Sequence, residues 1–316
     1  MIRRKLVFSS ALLAAALAID TFSAAAAQTQ PPDAIFKSSI DLVRISAIVR
    51  DHKGRFVPDL AARDFEILES GLLRQITDFR RDFAGVSVAF LFDVSGSMEA
   101  RLGSAREAAE HVLSWLEPVR DEAAIFTFDT RLVERMPFTA GLTTLPASMS
   151  TVVPFGATSL HDAIALTAQR VGKREGRRRA VVVLTDGRDN ASRLQPSDVS
   201  SIASSIDVPV YIFAVVASID NPSADTRTST TDHSALVGAL ADLASWTGGH
   251  VFVASTPAQR SLAARQIVDE LRHQYLLAFE SSGEPGWHPL VVRARDKDLT
   301  VRARSGYVAQ QHSSSH

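Results

Sequence analysis

The chain has 316 residues, with 34 Lys and Arg against 35 Asp and Glu for a formal net charge of −1, and it contains no cysteine. Its length suits one full α/β domain with smaller flanks, and a 46% hydrophobic share is ample for a sizeable core. Near-neutral charge argues against a nucleic-acid partner, and the lack of cysteine excludes disulfides, thiolate zinc sites, cysteine nucleophiles and a cysteine-linked lipid anchor.

The N-terminus carries Arg3, Arg4 and Lys5, an apolar run from Leu6 to Ile19, and small residues from Ala24 to Ala27. Basic start, short apolar stretch and small-residue end describe a secretory signal peptide over 1–27, cleaved after Ala27. A membrane anchor fits less well, because the run is short and Asp20 interrupts it. The mature product is expected in the periplasm or outside the cell, with no transmembrane segment. Residues 28–35 read as a flexible segment and 36–83 as an N-terminal β module. Its strand-like stretches are Ile40 to Val49, Phe56-Val57, Asp64 to Leu68 and Gln75 to Phe79, with turns at Asp51 to Gly54 and at Ser70-Gly71.

Strands and helices then alternate through 84–273. Strands are expected near 86–92, 122–128, 132–138, 180–185, 208–216 and 249–253. A first helix aligns Ala105, Ala108, Ala109, Val112, Leu113 and Leu116 on one face, and others follow near 160–171, 198–205, 233–245 and 257–273. Continuous apolar strands in such alternation predict an α/β fold with a doubly wound, mostly parallel sheet. A C-terminal β segment over 274–309 holds strands near 274–280, 289–295 and 299–304, and 310–316 reads as a disordered tail. The two β flanks adjoin the central domain at its ends, so they either pair into one module or stand apart.

The stretch Val86 to Met98 carries the most chemistry. A buried-type strand ends in Asp93, followed by hydroxyls at Ser95 and Ser97. Oxygens so placed at a strand's end suit a hard divalent cation, although a capped helix start would use the same residues. Gly156 to Asp162 sets Thr158 just after a glycine turn and just before an amphipathic run. A second buried-type strand, Arg179 to Thr185, ends at Asp186-Gly187. In an open α/β sheet, loops at the carboxyl ends of strands converge where the strand order reverses, so Asp93, Ser95, Ser97, Thr158 and Asp186 can meet at one point.

These segments resemble the metal-ion-dependent adhesion site of von Willebrand factor type A domains. Asp93-Val-Ser-Gly-Ser-Met, Gly156-Ala-Thr-Ser-Leu-His-Asp-Ala and Leu184-Thr-Asp-Gly-Arg-Asp-Asn look like the family's three hallmark stretches. The flanks Asp41 to Leu60 and Asp64 to Gly71, with Gln274 to Phe279, Gly286 to Leu290 and Ser305-Gly-Tyr307, look like a bacterial subgroup of exported "VWFA-related" proteins. The resemblance implies Mg²⁺, with Mn²⁺ or Ca²⁺ as alternatives. It also implies a protein partner that offers an Asp or Glu carboxylate. In the family the hydroxyls ligate directly in some states while the acids often act through water, and both modes stay open here.

Asp189 and Asn190 read as a solvated turn, with support of the cation's ligands from behind as the alternative, and Asp129 reads as a turn residue rather than a ligand. The basic run Lys173 to Arg179 reads as a solvated loop at the opposite end of its strand. The long polar loop 218–233 follows a strand beside that of Asp186 and is expected either to rim the site or to be a plain surface loop. The chain is expected to be a non-catalytic binding module. A metal-assisted hydrolase would need a base, for which His161 is the only nearby candidate, and there is no Gly-x-Ser-x-Gly elbow. An accessory subunit whose site engages no partner is a third reading.

Overall fold

The computed structural model describes residues 42–81, 85–215 and 236–309. The signal peptide, the segment 28–35, the loop 218–233 and the tail 310–316 lie outside the described residues. Among the described residues no helix is long and apolar enough to cross a membrane.

Strand β1 (Leu42–Arg50) is followed by a short run, β2 (Phe65–Glu69), β3 (Leu72–Arg74) and β4 (Ile76–Arg80). Ser70 and Gly71 both take positive φ, 48° and 83°, the two-residue turn that suits the twist of a β2–β3 hairpin. Phe56 makes only a single bridge to Arg50, and Val57 donates to the Val49 carbonyl. Pro58, with no N–H, then ends the pairing that the sequence had suggested.

The central domain runs β5 (Val86–Asp93), α1 (Leu102–Trp115), β6 (Glu122–Phe128), β7 (Leu132–Ala140), α2 (Leu160–Gly172) and β8 (Arg178–Thr185). It continues through α3 (Pro196–Ser205), β9 (Val210–Val215), α4 (Leu236–Trp246), β10 (Val251–Ala254) and α5 (Pro257–Arg272). Its six strands lie in the order β10-β9-β8-β5-β6-β7, all parallel except the edge strand β7. This is the doubly wound, mostly parallel sheet expected from the alternation.

All eight residues of β5 are buried, as a strand covered on both faces requires. Val88, Phe90 and Phe92 face α1 and α5, packing with Ala105, Val112, Leu113 and Ile267. Ala89 and Leu91 face the other way, with Ile164, Ala168, Val199 and Leu243 of α2, α3 and α4. The chain leaves β5 towards β6 on one side, while β8 pairs on the other. The order therefore reverses between β5 and β8, and their carboxyl ends, Asp93 and Thr185, open into one crevice.

After α5 come β11 (Tyr275–Glu280), β12 (Gly286–Ala294), β13 (Thr300–Arg302) and β14 (Gly306–Ala309). Neither flank closes a sheet alone. One four-stranded sheet has the order β13-β1-β11-β4 and the other β14-β12-β2-β3, each mixing N- and C-terminal strands. They enclose a single core of Val43, Ile45, Phe65, Ile67, Tyr275, Leu277, Phe279 and Leu290 among others. Fully buried Glu270 of α5 ties this sandwich to the central domain, pairing with Arg50 of β1 at 3.0 Å and with Arg302 of β13. Asp207 does the same after α3, accepting from the Ser46 N–H at 3.1 Å and its hydroxyl at 2.9 Å.

Candidate metal centre

Asp93 closes β5 with its side chain fully buried. Its Oδ1 accepts from the Ser95 N–H at 2.9 Å and from the Ser95 hydroxyl at 2.6 Å; its Oδ2 accepts from the Thr185 hydroxyl at 2.6 Å. Burial pushes this carboxyl above its ordinary range, and the negative charge of Asp186 adds to that push. The Ser95 and Thr185 hydrogen bonds work against it without cancelling it. Ser95 Oγ lies 3.3 Å from Ser97 Oγ, so two hydroxyls stand side by side next to the carboxylate.

Asp186 follows β8 with a nearly enclosed side chain. Its Oδ1 accepts from the Arg188 N–H at 3.3 Å, whereas its buried Oδ2 has no hydrogen-bond partner. The nearest cation is the Arg101 guanidinium, 3.6 Å from Oδ2, which also donates to the Ser97 carbonyl at 2.9 Å. Arg101 thus joins the loop after β5 to the end of β8.

Backbone hydrogen bonds bring in the third segment. The Phe155 N–H donates to the Val94 carbonyl at 2.8 Å, and the Gly96 N–H to the Gly156 carbonyl at 3.1 Å. Gly156 itself takes φ 87°, a conformation that favours glycine. Buried Thr158 is then held from the β8 side: its N–H donates to Asn190 Oδ1 at 2.8 Å, and its carbonyl accepts from the Asn190 and Ala191 N–H groups. Helix α2 has Ser159 as its N-cap, and the His161 N–H is taken by Asp189 Oδ2 and Ser192 Oγ, both at 3.0 Å. Capping therefore does not require the Thr158 hydroxyl.

The loops bearing Asp93, Ser95, Ser97, Thr158 and Asp186 are in this way stitched together. Hydroxyl contacts join Asp93, Ser95 and Ser97, Arg101 reaches Asp186, and Thr158 is linked through main chain and Asn190. Sequence reasoning missed Thr185 and Arg101. It also read Asp189 and Asn190 as a solvated turn, whereas both hold the Thr158 segment. A hydrogen-bonding residue beside each acid was visible in the sequence, but its partner across the sheet was not. Asp129 is a turn residue as expected, accepting from the Arg131 N–H at 2.8 Å.

His161 Nδ1 sits 2.8 Å from Asp189 Oδ2, the oxygen that also caps α2. Asp189 stays below the usual carboxylate range: burial alone would raise it, but hydrogen bonds from Ser192 and the His161 N–H outweigh burial. The basic run 173–179 is less solvated than expected. Arg174 chelates Glu122 with two 2.7 Å bonds, and Arg178 and Arg179 each donate to a carbonyl at 2.7 Å.

The donors at the crevice are carboxylate and hydroxyl oxygens only, a set that suits hard divalent ions. Among the described residues no cluster of three or more His, Cys, Asp or Glu forms a metal site of the acid- or histidine-rich kind. A buried carboxylate oxygen that makes no hydrogen bond, in a crevice that also holds the Asp93, Ser95 and Ser97 oxygens, fits a cation that brings its own charge.

Residues 88–188, which include Asp93, Ser95, Ser97, Thr158 and Asp186, match the family model described as the von Willebrand factor type A domain. Over these residues the central domain is similar to a von Willebrand factor type A domain. Comparison with curated proteins returned no match. Among solved structures, this chain is similar to an aerotolerance-related membrane protein from Bacteroides fragilis at 22% identity, covering 59% of this chain and 98% of that one, with TM-score 0.48. A von Willebrand factor type A protein from Catenulispora acidiphila is similar at 13% identity, covering 86% and 76%, with TM-score 0.46. Proximal thread matrix protein 1 from the mussel byssus, described with a zinc-occupied MIDAS motif, is similar at 20% identity, covering 64% and 49%, with TM-score 0.47.

Proposed function

We propose that this chain is an exported, non-catalytic binding module whose type A domain uses a divalent cation to grip a carboxylate on a partner protein. The observation that carries the reading is Asp186 Oδ2, buried and without a hydrogen-bond partner, with the Arg101 guanidinium 3.6 Å away as its nearest cation. Asp93, Ser95, Ser97, Thr158 and Asp186 would hold the ion, with Mg²⁺ the expected species and Mn²⁺ or Ca²⁺ compatible with the same oxygens. When bound, the ion would supply a Lewis-acid centre whose charge the two acids balance, with neutral hydroxyls as its other protein ligands and an open coordination position for one more anionic oxygen. The residues do the rest. Thr185 orients Asp93, the Ser95 N–H and hydroxyl fix its other oxygen, and Asn190 holds the Thr158 segment in place.

A hydrolase at the same site would need a base free to take a proton from water. His161 is the nearest candidate, but its Nδ1 faces Asp189, whose carboxylate caps α2, which favours a structural role for the pair. Export rests on the basic, apolar and small-residue pattern of residues 1–27.

The test is capture of envelope and secreted proteins on the immobilised chain, with Mg²⁺ or with chelator, beside Asp93→Ala and Asp186→Ala. A partner retained only with metal and only by the native site supports the reading. Retention that ignores both chelator and substitution refutes it. Hydrolysis that requires Mg²⁺ and is lost in His161→Ala would favour the enzyme instead.

A further inference from the structure

The rim of the crevice carries an apolar feature that the fold does not use. Val153 and Phe155 are 79% and 81% exposed, among the most exposed large apolar side chains of the described residues. Both lie in the segment that enters Gly156 and Thr158. Val152, between Thr151 and Val153, turns inward and packs against the α1 core near buried Met149. Burial therefore alternates along the segment as in an extended chain, sending Val153 and Phe155 outward together.

This segment is fixed at several points. The Arg106 guanidinium donates to the Val152 carbonyl at 3.2 Å, Phe155 donates to Val94 at 2.8 Å, and the Gly156 carbonyl accepts from Gly96 at 3.1 Å. The last two bonds place Phe155 directly beside the loop that bears Ser95 and Ser97. An apolar pair held on rigid backbone costs a partner little ordering on contact. Across the crevice the rim is cationic: Arg188 is 65% exposed at 4.0 Å from Asp186 Oδ2.

We infer that the partner segment presents an aspartate or glutamate with a large apolar residue close by in sequence, the acid directed to the cation site and the apolar side chain seated on Val153 and Phe155. The inference rests on the metal-dependent reading above and adds the partner's chemistry to it. Charge complementarity selects the acid, since both Arg188 and a bound cation attract it. Chain geometry sets the spacing: Phe155 precedes Thr158 by three residues, a span of at most about 11 Å. An extended partner covers that distance within about three residues on either side of its acid.

The experiment uses an array of short synthetic peptides with one central Asp in a Gly-Ser background. Phe, Leu, Ser or Lys is placed in turn at each neighbouring position, and Asp→Asn peptides serve as controls. The full chain is applied with Mg²⁺ and with chelator, as native protein and as Phe155→Ser, Val153→Ser and Phe155→Leu. In Mg²⁺, peptides with Phe or Leu near the Asp should bind about tenfold more tightly than those with Ser, equivalent to about 1.4 kcal/mol. Phe155→Ser should erase this preference while keeping Asp dependence, and Phe155→Leu should largely retain it. Asp-dependent binding that ignores the neighbour, or a preference that survives Phe155→Ser and Val153→Ser together, overturns the inference alone. Binding that distinguishes neither Asp from Asn nor Mg²⁺ from chelator overturns the metal-dependent reading and the inference with it.

Discussion

Asp93 and Asp186 place two carboxylates in one crevice, one fully buried and the other with a buried oxygen that no hydrogen bond satisfies. A cation bound there stabilises the folded chain only, because the unfolded chain has no such site. At a cation concentration about 100 times its dissociation constant, mass action adds about 2.7 kcal/mol. For a domain of this size each kcal/mol moves the melting temperature by about 2–4 °C, so Mg²⁺ should raise it by about 5–10 °C. Asp186→Asn removes one of the two charges and should lose most of that rise. In chelator it should melt within about 3 °C of the native chain, since it leaves the packing around β8 intact and relieves the repulsion felt by Asp93. Scanning calorimetry of both proteins, with chelator and with Mg²⁺, Mn²⁺ or Ca²⁺, measures all of this. A native chain indifferent to every ion, or an Asp186→Asn chain with the full rise, would refute the reasoning.

The raised Asp93 carboxyl gives a pH dependence of definite sign. Without metal the folded state binds this proton more tightly than the unfolded chain, so native stability should gain on Asp93→Asn as pH falls through the raised value. Protons should likewise compete with Mn²⁺, weakening its binding as pH is lowered; an affinity independent of pH would contradict that. Glu270 has the opposite sign. Burial would raise it, but Arg302 and Arg50 hold it below its ordinary value, so its contribution is present above that value and lost as pH falls through the lowered one. Glu270→Gln leaves two arginines without their carboxylate and should cost about 3 kcal/mol in urea denaturation at neutral pH, whereas a cost under about 1 kcal/mol would show the cluster to be inert. Gly249→Ala should lower expression and melting temperature sharply, because a Cβ there would strike the Val210 carbonyl in β9; a stable variant would mean that β10 can shift.

Much of the central sheet was legible because each buried strand is a short, continuous apolar run and each helix shows its own period. The acids and hydroxyls of the crevice were legible for a related reason: they stand where those runs stop. What brings them together is the pairing of β5 with β8, with Phe92 opposite Leu184, and that pairing is written in no local pattern. Thr185 illustrates the limit. It looks like any β-branched strand residue until the sheet sets its hydroxyl against Asp93. The joining of the two flanks has the same cause, since Ile45 pairs with Leu277 across nearly the whole described chain and antiparallel partners carry no mark of each other. Exposure of Phe155 was equally invisible, because an apolar residue in a loop reads the same whether it packs inward, as Val152 does, or faces out.

The most direct test of the central claim is a crystal structure of the chain grown with Mn²⁺ and acetate, with anomalous data collected at the manganese edge. The account predicts one strong peak in the crevice, within about 2.2 Å of the Ser95 and Ser97 hydroxyls, with Thr158, Asp93 and Asp186 around it and an acetate oxygen on the ion. A peak elsewhere, or none in crystals whose crevice is open to solvent, would contradict it.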